Sequence, residues 1–217
     1  MADKVQTAYQ QSLSVYDDVI TGRKWWSQLY LKLFWDGVDD NKIAKQVLSY
    51  IPNDFSGKLL DVPVGTGVFT QQRYQQLSAA DIQALDYSSE MLDIAKQRFV
   101  DLSNVTLVQG DVGDLPYPDD HFDIVLSMNG FHVFPDKEKA WSETTRVLKT
   151  GGLFMGCFYV ANQSKRTDLI VKLLSLKGWF TPPFETMESL KNKLTSRYSE
   201  IELSVEGANA YFCAVKK

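Results

Sequence analysis

Apolar residues recur along this chain with two different periods, and the switches between them divide it into elements. From Asp3 to Ile51 the spacing is helical: Val5, Tyr9 and Leu13 fall four residues apart, and Ile43, Val47 and Ile51 repeat the interval. Between these stretches WWSQLYLKLFW, residues 25–35, is unusually aromatic for a surface helix. After Gly57 short apolar runs alternate with helical ones: strand KLLDVP, a helix from Phe69 to Leu77, strand DIQALD, a helix from Ser88 to Val100, then strands VTLVQGD and HFDIVLSM. A helix from Asp136 to Lys149 puts Ala140, Trp141, Thr144, Val147 and Leu148 on one broad face and closes at Gly151-Gly152. Strand LFMGCFYV follows, then helices at Arg166 to Leu176 and around Met187, Leu190 and Leu194, the latter after the Pro182-Pro183 turn. In the tail Ile201, Leu203 and Val205 face one way, and Gly207-Ala208-Asn209 turns the chain back into AYFCAV.

Alternation of this kind predicts the α/β class: a Rossmann-like, doubly wound sheet of seven strands, mostly parallel, ending in an antiparallel C-terminal hairpin. The helical residues 1–51 would form an N-terminal cap on a single domain. Residues 57–160 would hold the cofactor-binding core, and 161–217 the last helices and the hairpin.

Composition narrows the function. A chain of 217 residues can bury a core without staples. Net charge is -4, the sequence pI is near 5.2, and basic runs stop at two residues, which argues against nucleic acid and against capture by anionic membranes. Cys157, Cys213, His121 and His132 lack metal-ligand spacing, so no metal is expected and the thiols fit a reducing compartment. The first residues lack a secretory pattern, and no window approaches about 18 uninterrupted apolar residues. A cytoplasmic protein without stable membrane insertion is expected, as a monomer or homodimer, with a small molecule as its partner.

Three strand tips carry candidate chemistry. In Asp61-Val62-Pro63-Val64-Gly65-Thr66-Gly67 the glycines remove side chains where a ligand would lie against backbone. A GxGxxG dinucleotide loop would need a third glycine where Thr70 stands, so a diphosphate is disfavoured. Pro63 removes one N–H and leaves carbonyls, which suit an ammonium or sulfonium group better than a phosphate. The second strand ends in Asp86-Tyr87, where a carboxylate would accept from ribose hydroxyls, while Ser88 supplies the helix cap. The third ends in Asp111-Val112, suited to the exocyclic amine and ring nitrogen of adenine.

With DLPYPDDHFDIVLSMNGFHVFPD, residues 114–136, the series resembles the class I S-adenosylmethionine-dependent methyltransferases. Within them it is similar to the small-molecule group that includes the ubiquinone and menaquinone biosynthesis enzymes. The likeness runs through Leu59 to Gly67, Ala84 to Leu92, Gly110 to Asp136 and Arg146 to Gly152, and touches Tyr16-Asp17 and Trp25-Trp26. It implies S-adenosylmethionine as cofactor. Asp61, Gly65 and Gly67 would shape the methionine end, with backbone near Pro63 touching the amino acid part. Asp86, beside Tyr87, would hold the ribose, Asp111 and Val112 the adenine, and Asn129 would line the pocket. Pro63 departs from the usual glycine of this loop.

For methyl transfer much of the catalysis can be alignment and desolvation. His132, just past the fourth strand, is the candidate base. Tyr16, Trp25, Tyr159 and Trp179 are candidate walls of an acceptor pocket, under cover of GWFTPPF, residues 178–184. A small, apolar or aromatic acceptor methylated at oxygen or carbon follows. Met128-Asn129-Gly130-Phe131 stands where the family members that methylate amino groups on bases typically carry an Asn/Asp-Pro-Pro-Tyr run, which argues against DNA. The alternatives are a non-catalytic cofactor-binding sensor or partner subunit, a protein methyltransferase, and a nicotinamide-dependent oxidoreductase.

Overall fold

The structure is a computed structural model and describes residues 38–217. The N-terminal part of the expected cap, with Tyr16 and Trp25, lies outside the described residues. Helix α1 (Asp40–Leu48) starts where the Asp39 carboxylate accepts the Asn41 and Lys42 N–H groups, and it buries Ile43, Ala44, Val47 and Leu48. Next come β1 (Lys58–Asp61), α2 (Gln71–Gln76), β2 (Asp81–Asp86), α3 (Ser89–Arg98), β3 (Val105–Gln109) and β4 (Phe122–Met128). Then follow α4 (Lys137–Val147), β5 (Leu148–Tyr159), α5 (Lys165–Leu176), α6 (Met187–Arg197), β6 (Tyr198–Glu206) and β7 (Asn209–Lys216).

The sheet has seven strands in the order β3-β2-β1-β4-β5-β7-β6. The pairs among β3, β2, β1, β4 and β5 are parallel, and β7 runs antiparallel to both β5 and β6. This is the Rossmann-like, doubly wound sheet with a C-terminal hairpin that the sequence predicts. The chain leaves β1 toward β2 and β3 and returns on the other side at β4, so strand order reverses between β1 and β4. Ligand crevices in open α/β sheets form beyond the strand tips at such a point.

Both faces of the sheet are covered. Leu60, Val62, Val125, Trp141, Phe154, Leu190 and Phe212 pack on the face under α4 and α6. Leu59, Ile43, Val47, Tyr74, Ile82, Leu126 and Met155 pack on the face under α1 and α2. The central strands therefore read as continuous apolar runs, as strands buried on both faces do. Asn209 Nδ2 donates to Asp40 Oδ1 at 2.9 Å and Lys42 pairs with Glu206 at 2.9 Å, which clips α1 to the hairpin turn. No helix among the described residues is long and apolar enough to cross a membrane.

Two expectations are corrected. The helix opening at Asp136 stops at Val147, because Leu148 already pairs with Phe122. The glycine pair sits inside β5, where Gly151 adopts φ +77° as the register slips between Phe122 and Ile124. On the edge strand β6, Ile201 and Leu203 are half-buried and Val205 is 41% exposed.

Candidate cofactor crevice and its aromatic flank

The loop after β1 is tied to β2 by two successive N–H groups. Val64 N–H donates to Leu85 O at 2.9 Å, and Gly65 N–H donates to Asp86 Oδ2 at 2.8 Å. Its two glycines are needed for different reasons. Gly67 has φ +71°, and a Cβ there would lie 2.2 Å from the Phe99 ring. Gly65 has φ +56° with nothing within 4 Å of its Cβ position, so it lays bare backbone against open space. The Pro63 ring sits against Gly130, where a Cβ would fall 2.5 Å from Pro63 Cδ. Proline is thus accommodated because the β4 loop supplies a residue without a side chain.

Three carboxylates stand at successive strand tips. Asp61 is 1% exposed and accepts the Tyr74 hydroxyl at 2.8 Å. Burial pushes its carboxyl up to about 7, the Tyr74 bond opposes the shift, and nearby Asp86 adds to it. Asp86 Oδ1 accepts the Ser88 N–H at 2.9 Å while Oδ2 holds the Gly65 N–H. Burial raises it to about 6 against these bonds. Each of its oxygens keeps acceptor capacity for a further donor. Asp111 is exposed, and its Oδ1 accepts the Gly113 N–H at 2.8 Å, a turn-forming contact. Asn129 follows β4 with φ +56° and donates its N–H to Cys157 O at 2.7 Å. Asparagine adopts that left-handed region more readily than most non-glycine residues.

Asp61, Pro63, Gly65, Gly67, Asp86, Tyr87, Asp111, Val112 and Asn129 all line one crevice. Val64, Leu85, Met91, Met128 and Phe134 line it too. Sequence reading missed these because buried apolar positions carry no chemical signal of their own. Gly130 was also missed; the Asn129-Gly130 dipeptide just past a strand was its trace. No lysine, arginine or histidine is among the described residues that line the crevice.

His132, Tyr159 and Trp179 stand outside this crevice, in an aromatic flank behind it. His132 Nδ1 accepts the Tyr159 N–H at 3.2 Å, and its ring stacks on Phe180 at 4.6 Å. Burial, with Lys137 nearby, pushes its pKa down to about 3. The Tyr159 hydroxyl donates to Asp168 at 2.5 Å, and its ring meets Phe180 and Phe184 edge-on. Trp179 is half-buried against this cluster. Segment 178–184 is fastened to the crevice wall: Thr181 N–H donates to His132 O at 2.9 Å and its hydroxyl to Val133 O at 2.8 Å. Lys137 Nζ joins Phe134 O at 3.2 Å to Thr181 O at 2.5 Å, and burial lowers its pKa to about 8.

A family model described as a methyltransferase domain matches residues 60–156. An uncharacterised chloroplastic methyltransferase of Arabidopsis thaliana is 30% identical over 154 residues, 68% of this chain and 43% of that protein. A demethylmenaquinone methyltransferase of Staphylococcus epidermidis is 37% identical over 110 residues, 50% of this chain and 46% of that protein. The matched stretch thus spans less than half the length of either relative. Among solved structures, a possible histamine N-methyltransferase of Thermotoga maritima superposes with a TM-score of 0.69 at 17% identity, covering 98% of this chain and 100% of that one. That likeness supports the fold alone. Residues 60–156 thus carry a methyltransferase domain, and the chain resembles the class I S-adenosylmethionine-dependent methyltransferases of the ubiquinone and menaquinone group.

Proposed function

We propose that this chain transfers a methyl group from S-adenosylmethionine to oxygen or carbon of a small, apolar or aromatic molecule. The observation that carries the reading is a crevice with three strand-tip carboxylates and no cationic side chain among its described residues. Such a site repels a diphosphate and favours a positively charged ligand. The residues fit the cofactor: bare backbone at Gly65 leaves room, Asp86 has acceptor capacity for ribose hydroxyls, and Asp111 with Val112 stands where the adenine edge would lie. Asp61, Gly67 and the carbonyls beside Pro63 would border the methionine end, Tyr87 the nucleoside, and Asn129 the side facing the acceptor.

The cofactor supplies an activated methyl group on a sulfonium. The protein's part is to hold the acceptor in line, exclude water and keep anionic groups near the cation, for which alignment alone can contribute roughly 7 to 11 kcal/mol. We assign His132 no base role. Its Nδ1 already accepts a backbone N–H, so the neutral ring carries its proton on Nε2 and presents no free basic nitrogen. It serves as a packed bridge between the crevice wall and Phe180. The aromatic flank of Tyr159, Phe180 and Phe184 supports an apolar or ring-shaped acceptor, in keeping with the demethylmenaquinone methyltransferase named above.

The test is transfer of labelled methyl from S-adenosylmethionine to a panel of phenols and hydroquinones, with mixed polypeptides as the comparison. Label on the ring compounds alone supports the reading. Label on polypeptides alone would move the acceptor to protein, and cofactor binding without any transfer would favour a sensor or partner subunit.

A further inference from the structure

The outward face of α5 has a pattern that the crevice does not use. Its inner side buries Thr167 and Val171, and Val171 packs beside Tyr159 and Phe180. Its outer side exposes Leu169 at 60%, Leu173 at 57% and Leu176 at 79%. At 100° per residue these leucines fall within about 60° of one another. Lys165 and Lys172 run along one side of the stripe and Arg166 and Lys177 along the other, all four exposed. The helix's one acid, Asp168, turns away to the Tyr159 hydroxyl and the Asn162 N–H. An apolar stripe between two cationic rows is the arrangement of a helix lying in a lipid interface, with lysine stems along the acyl boundary and their ammonium groups at the headgroups.

We propose that α5 docks this face on an anionic lipid bilayer. The overall charge of -4 does not oppose it, because screening over about 10 Å makes a surface respond to the nearest face of the protein and not to its sum. A second copy of the chain fits less well: a two-fold contact would set the same cationic rows against each other. Docking would place the bilayer about 10 Å, one helix diameter, from the Tyr159–Phe180 cluster, which adjoins the crevice through His132. A greasy acceptor would then have a short path from lipid to site. Vesicle binding is read without any methyl donor, so its outcome is separate from that of the methyltransferase reading.

The experiment is co-sedimentation of the purified full chain with phosphatidylglycerol-rich vesicles and with pure phosphatidylcholine vesicles. The proposal expects binding to the former, weakened by salt and much weaker on the latter. Leu169→Gln/Leu173→Gln/Leu176→Gln and, separately, Lys165→Gln/Lys172→Gln/Lys177→Gln should each lower partitioning by about 10-fold or more. Both should keep wild-type melting and S-adenosylhomocysteine affinity. No binding to anionic vesicles, or binding indifferent to both variants, overturns the proposal. So does a wild-type dimer in sedimentation velocity that the leucine variant dissociates. If Leu173→Cys, read by mass spectrometry of its own peptide, resists a soluble maleimide without vesicles, residues 1–37 cover the face and the proposal also fails.

Discussion

The crevice at the tips of β1 to β4 and the aromatic flank at the tip of β5 share a wall, residues 129–134, yet they are built by different means. The crevice is backbone and carboxylate. Its shape comes from glycine conformations and from Asp86 bridging two loops. The flank is made of rings held by a few polar ties: Tyr159 to Asp168, and Thr181 and Lys137 to the 132–134 turn. A group with fixed charges and hydroxyls demands particular residue types at particular tips, whereas a greasy molecule demands only a shape. The first leaves a motif in the sequence and the second leaves aromatic composition.

This contrast can be broken by substitution. The largest effect is expected inside the loop. Gly67→Ala forces a Cβ into Phe99 at a positive φ and should lower stability by about 2 to 4 kcal/mol. Gly65→Ala, strained but unobstructed, should cost about 1 kcal/mol while still reducing cofactor affinity. Equal losses in urea denaturation would mean that backbone strain sets both and that the Phe99 contact adds nothing at Gly67.

Asp86→Ala should weaken S-adenosylmethionine binding by about 1 to 3 kcal/mol, or about 5- to 150-fold. Tyr159→Phe removes a hydrogen bond to a carboxylate and should cost about 1 to 2 kcal/mol of stability, with cofactor affinity unchanged. A drop in affinity in Tyr159→Phe would show that the two regions are one.

Acidity separates them as well. In the folded protein Asp61 and Asp86 titrate near 7 and 6, against 3.8 for an ordinary aspartate. Between these values the folded state holds protons that the unfolded state has released. Stability from these groups is therefore fully present below about pH 4 and declines as pH rises to about 7, by at most about 1.4 kcal/mol per unit for each carboxyl. Asp61→Asn should flatten that slope in melts across the window. Cofactor affinity should climb over the same range, as the carboxylates ionise; a pH-independent affinity would remove them from the site.

The smallest effect is assigned to His132→Phe. Keeping the stack on Phe180, it should change kcat less than about threefold, whereas loss of a catalytic base would cost about 100-fold or more.

Much of the fold was legible because both periodicities are strong. Each of the seven strands was recognisable, and the reversed hairpin followed from Gly207-Ala208-Asn209. The end of α4 was misread because Leu148 continues the helical spacing while its pairing partner, Phe122, lies far away in sequence. Gly65, Asp86 and Asp111 could be located from strand-tip position alone. The seat of Pro63 on Gly130 could not, since it joins two loops more than sixty residues apart. His132 looked available because it stands just past the fourth strand; what occupies its Nδ1 is a backbone group from β5.

The most direct measurement is calorimetric titration of S-adenosylmethionine and S-adenosylhomocysteine into the purified chain, with NADH as control. The account predicts micromolar binding of the two methyl-cycle ligands and none of NADH, with S-adenosylmethionine affinity rising from pH 5 to pH 8. Binding of NADH, or silence from both adenosyl ligands, would contradict it and show that the acidic, cation-free crevice serves a different molecule.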